Sequence, residues 1–522
     1  MPLLPSLSFF APIILLLVAI FATTRTGKRP ALLPRLSELS ALTALAMTAA
    51  GLAQVIAGKA TGIAGLDGVV LVALRADLVS ATMALLVGFI GWIVMRYSRT
   101  YLDGEDREGA FHGLMLATLA AVMVFVQAGS MATLVLGTLA VGLALKRLLL
   151  FYPDRPEAQR AATKFAFVWH SADMLLVLAT ALLFATFRTG DLGQIASAAS
   201  ANGLGLTGGL AVAFVIVAAA LKTASFPLHG WLTEVMEAPT PVSALLHAGI
   251  INSGGVLLIA SAGLVEQSSG AMAALVMIGG FTALFGAAVM LTQSAVKTAL
   301  AWSTVSQMGF MLLQCGLGLW TLALLHIVAH SLYKAHAFLS SGGAIADVAS
   351  INRPGPVAAP SVKAVAKSFA LAIVLYAAIA AAFTYAFGPK SPQALAMGAI
   401  LIFGVAYMVA QGLADLAPRE LTKRLVGSSL FAAIGYFSFQ ALAQAIWGPI
   451  LPAAPTPEPL EWGLIVIAVL SFGLVAFAQA LFPLWAHHPS TAGLRVHLAN
   501  GLYLNALLDR AIGGFITKRS AQ

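Results

Sequence analysis

Charge is what this chain has least of. Asp, Glu, Lys and Arg together make up 9% of its 522 residues, against about 25% in an ordinary soluble domain. A chain so poor in charge cannot cover itself with a polar surface, which excludes a soluble globular fold. Cysteine is nearly absent too. The single Cys315 excludes an intrachain disulfide framework and any cysteine-ligated cluster, and reads as a small core residue. Nothing has the pattern of a phosphate-binding glycine loop, a Ser-His-Asp hydrolase elbow, or a haem or iron–sulfur ligand set. A redox centre within this chain is set aside on that ground. Long linkers and low-complexity tracts are also missing, and with them any attached soluble domain.

What is present is hydrophobic sequence: 60% of all residues, with a mean hydropathy of +0.93. It falls into about fifteen runs, near 7–23, 38–57, 78–95, 113–129, 131–151, 165–187, 204–228, 241–263, 270–292, 298–316, 320–345, 364–387, 392–413, 425–447 and 461–483. Runs of this length cross about 30 Å of hydrocarbon as helix. The first lacks a basic n-region and a small-residue cleavage site, and is expected to be a retained span. The formal net charge of +9 is explained by placement. With the N-terminus taken as periplasmic, loops after odd-numbered spans and the C-terminal tail hold 23 of the 29 basic residues; loops after even-numbered spans hold only Lys59, Arg75, Arg188 and Lys390. This is the positive-inside asymmetry of a multi-pass protein in a bacterial inner membrane, with a cytoplasmic tail. Basicity here reports topology and not nucleic acid. Residues 58–77 are too short to span and read as an external hairpin or surface helix. The tail LRVHLANGLYLNALLDRAIGGFITKRSAQ reads as an amphipathic helix on the cytoplasmic surface or against a partner.

Two lysines lie inside apolar runs, Lys222 and Lys334. An ionised side chain at mid-membrane costs roughly 2.5–3.5 kcal/mol on the most lenient scale, so such residues mark ion pathways by default. Pro227 follows Lys222 by five residues and cannot donate to Thr223, so the helix is expected to open beside the amine, freeing carbonyls that need water or polar partners. The bland alternative is a lysine snorkelling from a span end. His326, His330 and Lys334 recur every fourth residue and so share one helix face. Neutral histidine both donates and accepts, and a row of them can relay protons; a histidine pair that merely packs helices is the alternative. Two histidines at this spacing could also hold zinc, but the third position is a lysine and no HExxH glutamate is present. His247 falls two turns into a span started by Pro239 and Pro241. Asp173, one turn after His170, needs a cationic partner, and Lys222 is the obvious candidate. Glu234 and Glu237 flank the broken helix and read as lining a cytoplasmic vestibule; His229 and His336 stay open between structural and functional roles, while His487 and His488 read as solvated.

These residues sit in two long motifs. LKTASFPLHGWLTEVMEAPTPVSALLHAGIINSGGVLLIA and LAWSTVSQMGFMLLQCGLGLWTLALLHIVAHSLYKAHAFLSSG, with LRAD at 74–77 and WHSAD at 169–173, resemble the antiporter-like membrane subunits: subunit L of respiratory complex I and the large subunits of multisubunit sodium/proton antiporters. The similarity covers roughly residues 70–345. It implies an all-α polytopic fold of about 14–16 transmembrane helices with two inverted five-helix repeats containing broken helices. The implied blocks are 1–112 for the N-terminal spans and hairpin, 113–263 and 270–424 for the repeats, and 425–522 for the last spans and tail. It also implies a proton path through Lys222, His247, His326, His330 and Lys334, with Asp173 matching an acidic residue. Two family features are absent: a glutamate on the fifth span, replaced by Leu139, and a second broken-helix lysine, for which Lys390 in AFTYAFGPKSPQ is a poor match.

The short chain, the missing glutamate and the NGLYLNALLDR tail are more similar to DabB, the membrane-subunit family of two-component inorganic-carbon transporters. That resemblance implies inward cation flow, read as protons, that drives a large cytoplasmic zinc-binding partner, DabA, resembling a carbonic anhydrase that makes bicarbonate from CO2. No cofactor is then expected in this chain, and the zinc would belong to the partner. The competing expectation is a subunit of an NADH-quinone or hydrogenase-type complex, or of a sodium/proton antiporter.

Overall fold

Spans need every backbone polar group satisfied within the chain, and helices are how this sequence does it. A computed structural model describes residues 4–65, 71–341, 361–412, 419–481, 485 and 488–511. In chain order its helices begin with α1 (Ala11–Ala22), α2 (Leu33–Ile56), α3 (Leu78–Tyr101), α4 (Glu108–Val126), α5 (Met131–Leu149), α6 (Pro156–Phe187), α7 (Leu192–Asn202) and α8 (Gly205–Lys222). The middle of the chain forms α9 (Gly230–Glu234), α10 (Thr240–Ala248), α11 (Ser253–Ala260), α12 (Ala262–Val265), α13 (Ser269–Met290), α14 (Val296–Gly316) and α15 (Trp320–Ser340). Then come α16 (Val362–Phe387), α17 (Pro392–Gly412), α18 (Arg419–Trp447), α19 (Pro459–Ala480), α20 (Ala492–Ala499) and α21 (Leu504–Ala511). Among the described residues, 12 helices are long and apolar enough to cross a membrane, and each of the fifteen apolar runs falls on helix. The fold is an all-α membrane bundle.

Local chemistry sets many of the boundaries. Asp77 and Ser80 cap α3 reciprocally, and Asp191 accepts from Gln194 N–H at 2.9 Å to start α7. Pro156 occupies the first turn of α6, where its missing N–H costs nothing. The interhelical stretch after α2 is a hairpin: Ile63–Gly65 pairs antiparallel with Val72–Leu74, while Ala60–Thr61 pairs with Leu4–Pro5. The basic loops gather at one end of the bundle, the basic end. There Lys28 and Arg29 pair with Asp106 (3.3 Å) and Asp103 (3.1 Å) across α1 and α4. Gly388 and Pro389 form the turn that joins α16 to α17, with Gly388 at φ +85°, and do not interrupt a span.

Two boundaries differ from the sequence expectation. The helix bearing Asp173 starts at Pro156, well before the apolar run at 165, so Lys164 belongs to α6 and not to a loop. The amphipathic tail is two short helices and not one, because Leu502 and Tyr503 adopt left-handed backbone (φ +54° and +57°) after Gly501.

Small residues let helices touch backbone to backbone. Between α13 and α14, a Cβ added at Gly279 would lie 2.5 Å from the Leu313 nitrogen, whereas one at Gly280 meets nothing. Gly279→Ala should therefore lower the thermal midpoint in detergent, at a cost of about 1–3 kcal/mol. Gly280→Ala should leave it unchanged or slightly raised, since alanine is the better helix former; melting followed by tryptophan fluorescence checks the pair.

Candidate functional site

Lys222 is the last residue of α8, yet it is fully buried and does not reach toward an interface. The helix stops there because Ala224 takes left-handed backbone (φ +50°) ahead of Pro227. Three carbonyls at the break accept from protein groups. Thr223 Oγ1 donates to Ala219 O at 2.8 Å, Ser225 N–H to Ala220 O at 3.1 Å, and the Trp231 indole to Leu221 O at 3.2 Å. These bonds do not reach the Thr223 carbonyl, which Pro227 deprives of its helical donor and which has no partner among the described residues.

The amine has one carboxylate partner. Lys222 Nζ donates to Asp173 Oδ1 at 2.7 Å, and it stands 4.0 Å from the centre of the Trp169 ring, whose face attracts a cation. The other carboxylate oxygen, Oδ2, lies 3.0 Å from His170 Nδ1, so His170, Asp173 and Lys222 form a chain of contacts. His170 is about one-third exposed and carries the triad toward the bundle surface. Leu139, at the position where the resembling family has glutamate, is 38% exposed. It leaves the lysine's counter-charge to α6, one helix later.

The second lysine is held differently. Lys334 is fully buried in α15 and donates to Leu300 O and Ser303 Oγ of α14, each at 2.9 Å. Among the described residues no carboxylate lies within ion-pair distance of it. His247 of α10 contacts the same helix, with Nδ1 3.0 Å from Thr304 Oγ1, and stacks on Phe338 at 4.3 Å; its Nε2 has no partner. Both ring nitrogens of His330 are also without partners, and its ring centre lies 6.0 Å from that of His326. His326 Nδ1 ends the row 3.0 Å from Gln314 Oε1. Lys334, His330 and His326 therefore face α14, which supplies Leu300, Ser303, Thr304 and Gln314 to that row and to His247.

Between the two lysines runs a helix that is itself interrupted. Residues Ile250–Asn252 form a 3₁₀ turn between α10 and α11, and Asn252 Nδ2 donates to Ser331 Oγ at 3.0 Å while its Oδ1 has no partner. A cavity of about 20 Å³ beside Gly249, Asn252, Ser253 and Ser331 has room for one water. On the other side, Gly254 lies directly on the Ala219 carbonyl of α8, where a Cβ would come within 2.3 Å. The segment 240–260 thus touches both lysine helices. Among the described residues no three His, Cys, Asp or Glu side chains converge as metal ligands.

Glu234 lies apart from both lysines, at the basic end. Its Oε1 accepts from Lys164 Nζ at 2.7 Å, and the tail helix α21 completes the cluster: Asn505 Oδ1 and Asp509 Oδ1 lie 2.7 and 2.5 Å from the same amine, while the Asn505 amide donates to Glu234. Lys164 is buried, and Gly230 lets Asn505 approach. Lys164 was hidden in the sequence because it stands among loop lysines and arginines. The signal that could have found it is Pro156, a helix-starting residue that places Lys164 on the same continuous helix as Asp173.

Known proteins similar to this chain cover most of its length. The profile described as NADH:quinone oxidoreductase/Mrp antiporter, TM, matches residues 128–354, and one described as NADH-ubiquinone oxidoreductase (complex I), chain 5 N-terminus, matches 68–112. A probable inorganic carbon transporter subunit DabB2 from Halothiobacillus neapolitanus is 35% identical over 85% of this chain and 80% of its own. A probable inorganic carbon transporter subunit DabB from Hydrogenovibrio crunogenus is 43% identical over 54% of this chain and 55% of its own. The solved Mrp complex from Dietzia sp. shares the fold at a TM-score of 0.57, with 20% identity, over 98% of this chain and 58% of that one.

Removing one member of a buried ion pair strands the other and costs about 3–5 kcal/mol. Asp173→Ala and Lys222→Ala should each lower stability by that order. The double variant should lose clearly less than the sum, with a coupling of more than about 1 kcal/mol in a double-mutant cycle read from detergent melts. Additive losses would show that the two side chains do not meet.

Proposed function

This chain belongs to the NADH:quinone oxidoreductase/Mrp antiporter family of membrane subunits, with inorganic-carbon transporter subunits among its relatives, and from that premise we propose that it conducts protons across a bacterial inner membrane to drive bicarbonate production by a cytoplasmic partner. One observation carries the reading: Lys222 and Lys334 are both fully buried, and the interrupted segment 240–260 that bears His247 touches both helices that hold them, α15 through α10 and α8 through α11. A lysine ammonium in that setting is tolerated only with partners, and its proton is what such a site can exchange. Lys222 and Lys334 are the loading sites, Asp173 sets the charge of Lys222, and His170 connects the pair outward. His247, His330 and His326 relay. The His247 and His330 nitrogens that have no partner among the described residues leave acceptor and donor positions free for a passing proton.

The asymmetric distribution of basic residues supports a periplasmic N-terminus and a cytoplasmic tail. The partner is then a large zinc-binding subunit resembling DabA, docked at the basic end around Glu234 and α21. Chemistry on CO2 belongs to that subunit, and this chain supplies the driving ion flow.

The test is accumulation of inorganic carbon in cells carrying Lys222→Ala or Lys334→Ala, alongside co-purification of the tagged chain. Both variants should abolish accumulation, a loss of about tenfold or more, while the partner still co-purifies with zinc. Undiminished accumulation in both would mark the chain as an anchor. Co-purification with several membrane subunits and no zinc protein would point to a respiratory or antiporter complex instead.

A further inference from the structure

At the end of the bundle opposite the basic loops, a cavity of about 440 Å³ opens between α13, the end of α14 and the starts of α17 and α19. Its charged lining is of one sign. Glu266, Glu458 and Glu461 border it, and no lysine, arginine or histidine is among its lining residues. Glu458 and Glu461 also cap α19 reciprocally, which employs their carboxylates without neutralising them. A second observation is independent of the acidic residues. Gln393 is 2% exposed, lines the same cavity and is fixed in orientation because its Nε2 donates to Pro455 O at 2.6 Å. Its Oε1 has no partner among the described residues. A buried amide oxygen without a donor costs on the order of 1–3 kcal/mol unless something supplies one. In a cavity of this size, water or a hydrated cation supplies it.

The cavity is also aligned with the histidine row. Glu266 accepts a hydrogen bond from the indole of Trp320, the first residue of α15, and His326 follows six residues later, about 9 Å of helix rise. From the other side, Gln314 is bonded to His326, and Gly316 and Leu317, just beyond it, line the cavity. Since no three ligating side chains converge among the described residues, a chelated divalent ion does not fit.

We propose that this cavity is the outer mouth of the pathway, a hydrated cation-binding antechamber in which Glu266 collects the proton. It rests on the proton-conducting reading above and extends it. A hydronium ion enters, passes its proton to a Glu266 carboxylate oxygen and remains as water; the proton then moves on toward His326. Glu458 and Glu461 hold the local cation concentration up by their charge. Burial raises the Glu266 carboxyl to about 7, against the opposing hydrogen bond from Trp320, so it alternates between charged and neutral forms near neutral pH. The groups around it are Trp320 on α15, Gln267 and Ser269 beside it, and Glu458 and Glu461 at the start of α19.

The test measures inward proton flux into right-side-out vesicles holding the full complex, as a function of external pH. Glu266→Gln should lower flux by about tenfold or more, placed proton-transfer groups commonly contributing roughly 10²–10⁴, and should flatten the external-pH profile around neutrality. Glu266→Asp should restore part of both. In a Cys315→Ala background, Glu266→Cys should react with a membrane-impermeant thiol reagent added outside. Detergent melting and partner co-purification confirm that each variant folds. If Lys334→Ala stops flux but Glu266→Gln leaves rate and profile intact, or if position 266 is labelled only from inside, the outer mouth is overturned alone. If Lys334→Ala leaves flux intact, the conducting role itself falls.

Discussion

A charge buried in hydrocarbon must be answered by something nearby, and most of what is distinctive in this bundle follows from two such answers. Lys222 is answered by another charge, Asp173, with the Trp169 ring as a third party. Lys334 is answered by dipoles, a backbone carbonyl and a serine hydroxyl on α14. The helices that deliver these partners are therefore not free to slide. Gly254 against Ala219 and Gly279 against Gly309 bring backbones close enough that side chains are excluded. Close packing and charge solvation are one constraint seen from two sides.

Lys222 takes its counter-charge from α6 and not from α5. Leu139 leaves the fifth span without the acid expected from the resembling family, but the lysine is not orphaned, because α6 delivers Asp173 from one helix further on. What remains is a pair whose second oxygen is already turned to His170, a contact that links the buried amine to a partly exposed ring. The same long helix carries Lys164 toward the basic end, where Glu234, Asn505 and Asp509 gather around it.

Much of this was legible in the sequence for a simple reason. Hydrocarbon thickness fixes helix length, so the apolar runs translate directly into helices, and charged residues inside them stand out against a uniform background. Lys222, Asp173, His247, His326, His330 and Lys334 were visible that way. The partners that were missed are those that look ordinary in sequence. Ser303, Thr304 and Gln314 are common residues on a helix with no charge of its own, and only packing of α14 against α10 and α15 gives them meaning. The 3₁₀ interruption at 250–252 has no proline to announce it. Lys164 was masked by its basic neighbours, and the tail's fold back onto Glu234 depends on contacts separated by some 270 residues of chain.

Among the described residues Lys334 has no counter-ion, and that has a consequence for the field around it. A positive charge neutralised by a carboxylate is nearly silent at a distance, whereas one solvated only by a carbonyl and a hydroxyl projects its field outward. At an effective dielectric constant near 20, a second unit charge about 10 Å away meets a repulsion of roughly 1.7 kcal/mol. A second cation near α15 is therefore disfavoured by more than tenfold, a shadow that Lys222, with Asp173 against it, does not cast.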